Sequence, residues 1–215
     1  MLSAKLTVGI CLVTAVLAGG VDAYAHPDLE ITGNVGARFG GSVKVNAPDG
    51  SAGETGKVTA PASLAYGATV GYRVQPNGFI ALSYSRQQTE LRYRVTGESV
   101  SASQDASIEY LQFGGYLHTE RRHFFPYLGF SIGTTRFATL GKGGSDEWRF
   151  SGVLEGGVKW QAIEHLQFRL LMRMPITVLS GDSSVFCVSG SGCLISYDGP
   201  TLIQGEALAG ISLTF

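Results

Sequence analysis

QGEALAGISLTF, residues 204–215, puts Gly205, Ala207, Ala209, Ile211, Leu213 and Phe215 on one face of an extended chain. Gln204, Glu206, Leu208, Gly210, Ser212 and Thr214 fall on the other. Successive strand side chains point to opposite sides, so this period of two predicts a β-strand between an apolar and a polar environment. Residues 29–39, LEITGNVGARF, divide in the same way: Leu29, Ile31, Val35, Ala37 and Phe39 oppose Glu30, Thr32, Asn34 and Arg38. The first and last segments therefore match in character.

Six further runs lie between them, at Leu64–Val74, Phe79–Val95, Ile108–Leu117, Phe125–Phe137, Trp148–Trp160 and Leu166–Met174. In the second of these the apolar phase moves from Ile80, Leu82 and Tyr84 to Leu91, Tyr93 and Val95 across the polar RQQTE. This predicts a hairpin that rises out of the apolar layer, with a bulge. Connections near 75–78, 118–124 and 161–165 are short, whereas those near 40–61, 94–105, 138–147 and 176–200 are long and rich in Gly, Ser, Asp and Thr. Eight antiparallel strands with short turns at one rim and long loops at the other predict an all-β fold: a closed, up-and-down transmembrane β-barrel. An even strand count brings the last strand beside the first and leaves no open edge.

Composition agrees with that architecture and excludes others. The 215 residues are 44% hydrophobic and only 15% charged, with a formal net charge of −1 and a mean hydropathy of +0.15. Disordered chains combine low hydrophobicity with high net charge. The 30 Gly residues follow no three-residue period, which excludes collagen. Without basic runs, nucleic acid is not an expected partner. After residue 20 no uninterrupted apolar stretch is long enough for a helical membrane span.

Residues 1–25, MLSAKLTVGICLVTAVLAGGVDAYA, read as a secretory signal: Lys5, an apolar core from Leu6 to Ala18, then the small-x-small site Ala23-Tyr24-Ala25. The mature domain is then residues 26–215, beginning at His26. Its two cysteines, Cys187 and Cys193, share one Ser/Gly-rich segment, and in an exported protein they are expected to form a loop disulfide. No further Cys or His lies close by, so neither a metal site nor a cofactor is expected.

The same strands could build a soluble carrier of lipocalin type with its apolar face inward. Charge decides the orientation. Arg38, Glu155, Arg173 and Glu206 lie on polar faces at mid-strand, and the chain holds only five Lys. The apolar face therefore points to lipid, with Phe39, Tyr72, Tyr84, Trp148, Trp160 and Phe215 as interfacial girdles. Glu30, Arg38, Arg73, Glu155, Lys159, Arg169, Arg173 and Glu206 are expected to form a polar network in a narrow lumen with Asn34, Gln112 and Gln204. Gly67, Gly71, Gly114, Gly129, Gly133, Gly157 and Gly210 would make room for them.

No catalytic constellation is expected. His26, His118, His123 and His165 read as exposed terminal or turn residues, and none begins a His-x-Ser sequence. The acidic pair Asp146-Glu147 near the outer rim has no His beside it.

The signal peptide, the eight amphipathic strands, FPYLGFSIGTTRF at 125–137 and the terminal Phe215 resemble the small outer-membrane barrels of the OmpA, OmpX and opacity-protein type. The resemblance implies that Ile211, Leu213 and Phe215 form the signal read by the barrel-assembly machinery. It also implies a Gram-negative outer-membrane location, a monomer in outer-membrane lipid, and a barrel without the peptidoglycan-binding domain of full-length OmpA. Loop groups such as Lys57, Glu98, Lys142 and Asp182 could meet a host or envelope surface ligand. The expected function is structural or surface-interacting. A narrow passive channel is the alternative, and a soluble carrier the distant one.

Overall fold

The computed structural model describes residues 29–46, 55–95, 102–119, 123–139, 146–179, 184–188, 192–197 and 201–215, and every regular element among them is a strand. In chain order these are β1 (Leu29–Phe39), β2 (Ser42–Asn46), β3 (Thr55–Thr59), β4 (Ser63–Gln75), β5 (Gly78–Val95), β6 (Ala102–His118), β7 (Phe124–Thr139), β8 (Asp146–Ile163), β9 (Leu166–Val178), β10 (Ser184–Val188), β11 (Gly192–Tyr197), β12 (Thr201–Ile203) and β13 (Gly205–Thr214). The secretory segment, with Ala23, Ala25 and His26, lies outside the described residues.

Eight long antiparallel strands close the barrel in the order β1, β4, β5, β6, β7, β8, β9, β13, and β1 pairs with both β4 and β13. The row of partners that starts at Leu29 passes Tyr72, Ile80, Gly115, Phe130, Leu154 and Met174. Arg173 pairs with Glu206 and Phe39 with Gly205, so the row regains β1 at Phe39, ten residues from its start. Such a stagger tilts the strands by ~40° to the barrel axis.

Sidedness follows the period of two. Leu64, Leu117, Leu128, Phe130, Leu170 and Met172 are exposed on the outer face, while Glu30, Thr32, Arg38, Gln112, Ser151 and Arg169 are buried inside. This arrangement is the reverse of what a lipocalin-type carrier requires. Glycine makes the narrow interior feasible at two clear positions: a Cβ on Gly133 would lie 2.0 Å from the Leu111 carbonyl oxygen, and one on Gly67 would lie 2.1 Å from that of Tyr84.

Above the barrel the chain departs from the expected loops. Gly40 and Gly41 take φ values of 76° and 94°, a left-handed conformation that costs glycine little. β2 thereby leaves the barrel wall to pair with β3, which continues onto the upper part of β5, while β10 and β11 form a hairpin that joins β2. The described parts of two of the long connections are thus sheet extensions of the wall.

The predicted bulge in β5 is absent. Pairing with β6 runs from Gly78↔Leu117 to Tyr93↔Ala102 without a shift. The apolar phase changes because the surroundings change, not the backbone. Leu91 points inward into a buried cluster with Ala60, Ala106, Ile108, Tyr110, Phe137, Leu179 and Leu202. At the same level Arg86, Glu109 and Arg136 carry the outer-face phase. The barrel is apolar outside along most of its length and apolar inside at its upper rim.

Candidate functional site in the lumen

Four strands supply the lumen charges because their polar-face positions fall in register. Arg38 on β1 lies opposite Glu206 on β13, Glu206 opposite Arg173 on β9, and Arg173 opposite Glu155 on β8. Alternating signs across a row of directly opposed positions are the stabilising arrangement for cross-strand pairs. Lower down, Lys159 faces Arg169 in the β8–β9 register, and Glu30 of β1 reaches both of these like charges from across the lumen.

The result is a single chain of ion pairs that alternates in sign along the barrel. From the turn side, Lys159 Nζ donates to Glu30 Oε2 at 2.5 Å. Glu30 Oε1 lies 3.6 Å from Arg169 Nη1, and Arg169 Nη2 donates to Glu155 Oε1 at 3.0 Å. Arg173 Nε is 3.3 Å from Glu155 Oε2, and Arg173 Nη1 donates to Glu206 Oε2 at 3.2 Å. Arg38 Nε then donates to Glu206 Oε1 at 2.6 Å. Charge buried to this degree is tolerable only when paired and hydrogen bonded.

Neutral donors and aromatic rings complete the two ends. Arg38 donates from Nη1 to the Ile108 carbonyl at 3.1 Å and from Nη2 to Ser85 Oγ at 2.7 Å, and its guanidinium stands 4.7 Å from the Tyr110 ring centre. At the turn side the Lys159 ammonium lies 4.2 Å from the Tyr116 ring centre, 4.8 Å from that of Phe79 and 5.6 Å from that of Tyr127. Tyr116 accepts from Lys159 at 3.0 Å and donates to Glu30 at 3.0 Å, while the Tyr127 hydroxyl accepts from Arg169 Nε at 2.5 Å. A cation enclosed by aromatic faces gains from the ring quadrupoles as well as from its carboxylate. Beside Glu155 a cavity of about 10 Å³, bordered by Thr69, Ser83, Tyr116 and Ser131, has room for roughly one water.

Of the eight charges expected in the lumen, seven are joined in this chain. Arg73 is not. It sits at the tight turn, where Nη1 donates to the Pro76 carbonyl at 2.6 Å and the guanidinium covers Phe79. It lies two residues before the end of β4 at Gln75, so the side chain reaches the mouth instead of the interior. Gln112 donates to Ser151 Oγ at 2.7 Å, and Gln204 accepts from the Tyr110 hydroxyl at 2.9 Å, whereas Asn34 Oδ1 is buried without a hydrogen-bond partner.

His123 and His165 are exposed at the turns. His118 is not: only 6% of its surface is accessible, and its ring packs 5.6 Å from Phe79 and 5.8 Å from Phe125. It occupies a lumen-facing position at the end of β6, where it joins Phe79, Tyr116, Tyr127 and Phe125 in an aromatic plug at the turn side. The Tyr and Phe members of that plug were not expected as site residues, although their place on the polar faces of strands was a readable signal. Asp146 pairs with Arg136 and Glu147 with Arg149, which leaves the acidic rim pair engaged. Among the described residues no group of three or more His, Cys, Asp or Glu could hold a metal ion.

No protein-family model and no curated protein matches the chain. Solved structures do. Neisserial surface protein A is similar at 15% identity and a TM-score of 0.55, over 87% of this chain and 97% of that one. The outer membrane protein OprG from Pseudomonas aeruginosa is similar at 14% identity and a TM-score of 0.55, over 88% of this chain and 97% of that one. The chain has the fold of the small eight-stranded outer-membrane barrels.

Proposed function

We propose that this chain is a Gram-negative outer-membrane β-barrel protein with a structural and surface-interacting role and no catalysis. One observation carries the reading: the barrel is apolar on its outer face and closed inside by an unbroken chain of paired charges. An exterior of Leu, Phe and Met suits lipid, and a closed sheet with no open edge suits a solvent without hydrogen bonds. A lumen filled by ion pairs and an aromatic plug suits an anchor better than a conduit. The likeness to Neisserial surface protein A and OprG supports the architecture on which the role rests.

The precursor is cleaved between Ala25 and His26. Ile211, Leu213 and Phe215, exposed on the outer face of the last strand, mark it for the barrel-assembly machinery. Cys187 and Cys193, opposite each other in the β10–β11 register, are bridged. The barrel is monomeric, and the sheet extensions at the upper rim present its surface to a host or envelope ligand.

Membrane fractionation combined with gel mobility before and after boiling tests the membrane assignment. Recovery in the outer-membrane fraction with a heat-dependent shift is expected, and recovery as a soluble periplasmic protein overturns it. Planar-bilayer recording separates anchor from channel. Silence from the wild type supports the anchor, whereas steady conductance that changes in Glu206→Ala or Arg173→Ala supports the channel.

A further inference from the structure

The apolar belt on the outer face is not of even height. On β8 it runs from Trp148 to Trp160, all outward positions between them being apolar or Gly. At ~3.3 Å per residue that is ~40 Å along the strand, or ~30 Å along the membrane normal after a ~40° tilt. On β5 the belt comprises Ile80, Leu82 and Tyr84, and on β6 it runs from Leu111 to Leu117. Those lengths project to ~10 Å and ~15 Å.

Charge bounds the short side directly. The outward position after Tyr84 on β5 is Arg86, that before Leu111 on β6 is Glu109, and the two are paired in register. Glu109 is in turn opposite Arg136 on β7, and Arg136 is opposite Trp148 on β8. Arg86 Nε and Glu109 Oε1 are 3.5 Å apart, and Arg136 Nη1 and Glu109 Oε2 are 3.2 Å apart. The Arg86 and Arg136 side chains keep 30% and 33% of their surface accessible. At the other end the tight turn after Gln75 and the end of β6 at His118 limit the belt. A rigid tilt of the barrel moves both edges of a belt the same way and leaves its height unchanged, so tilting cannot match a bilayer of even thickness to this wall.

We infer that the bilayer is thinned against the β5–β6 wall, where phosphate-bearing lipid headgroups of the outer leaflet descend to the row Arg86, Glu109 and Arg136. Guanidinium groups donate well to phosphate oxygens, and a shorter hydrophobic surface is met by local thinning. The inference rests on the membrane-spanning reading above.

Spin labels on Leu82→Cys (β5) and Leu154→Cys (β8), in a Cys187→Ser/Cys193→Ser background, test it. The protein is refolded into vesicles of dioleoyl phosphatidylcholine and phosphatidylglycerol, and label depth is read from the balance of oxygen and nickel-complex accessibility. The expected result is a label at 154 deep in hydrocarbon and a label at 82 at about half that depth from the phosphate plane. Addition of Arg86→Leu and Glu109→Leu should then move the label at 82 about twofold deeper. Equal depths at 82 and 154 in the parent protein overturn the thinning and leave the membrane assignment intact. Aqueous exposure of both labels overturns the membrane assignment itself.

Discussion

Arg38 and Glu206 meet across the seam that closes the barrel: they are opposed in the β1–β13 register, joined at 2.6 Å, and both wholly buried. The seam between β1 and β13 therefore coincides with one link of the internal charge chain. Glu206→Ala would leave Arg38 and Arg173 facing each other without their shared carboxylate. A loss of about 3–5 kcal/mol is expected for breaking such a buried pair. Urea unfolding in detergent micelles measures it, and in a cycle with Arg38→Ala the two losses should fall short of additivity by about 0.5–3 kcal/mol.

Gly133→Ala should block folding or severely lower stability, because the new Cβ would overlap the Leu111 carbonyl at 2.0 Å. Gly33→Ala is the control. Gly33 faces outward on β1 and nothing lies within 4 Å of the position its Cβ would take, so the folded band on an unboiled gel should persist.

Leu91→Ala removes a side chain from the upper-rim cluster and should cost about 2–5 kcal/mol, the usual range for a leucine deleted from a core. Leu128→Ala, at an outward position that is 69% exposed, should cost far less in the same micelles. Equal losses at the two positions would contradict the change of sidedness along the barrel.

Cys187 and Cys193 are opposed in the β10–β11 hairpin, and opposed residues of antiparallel strands have Cα atoms close enough for a disulfide. The mature protein recovered from the outer-membrane fraction should resist thiol alkylation until it is reduced. Cys187→Ser should destabilise the hairpin by roughly 2 kcal/mol while the barrel still folds.

Strand number, closure and the orientation of both faces were legible because a period of two has only two phases, and one of them carried nearly all the charge. The lumen set was legible for the same reason, from Glu30, Arg38, Glu155, Lys159, Arg169, Arg173 and Glu206. Their pairing was not, since it depends on the ten-residue stagger, which no single strand encodes. Leu91 shows where the pattern deceives. A phase change reads equally well as a bulge in the backbone or as a change of solvent around a regular strand, and only the β5–β6 register separates the two. His118 and Arg73 failed for a common reason: at strand ends one residue decides whether a side chain enters the lumen or leaves it.

The chain of seven lumen charges begins with a cation, Lys159, and ends with a cation, Arg38. Four positive and three negative groups alternate between those ends, so the sequence of charges reads the same from either mouth. A row of this kind has almost no head-to-tail electrical polarity, whatever its total charge. A voltage across the membrane then pulls on neighbouring links in opposite senses with little net torque, and a barrel filled this way should be nearly indifferent to membrane potential.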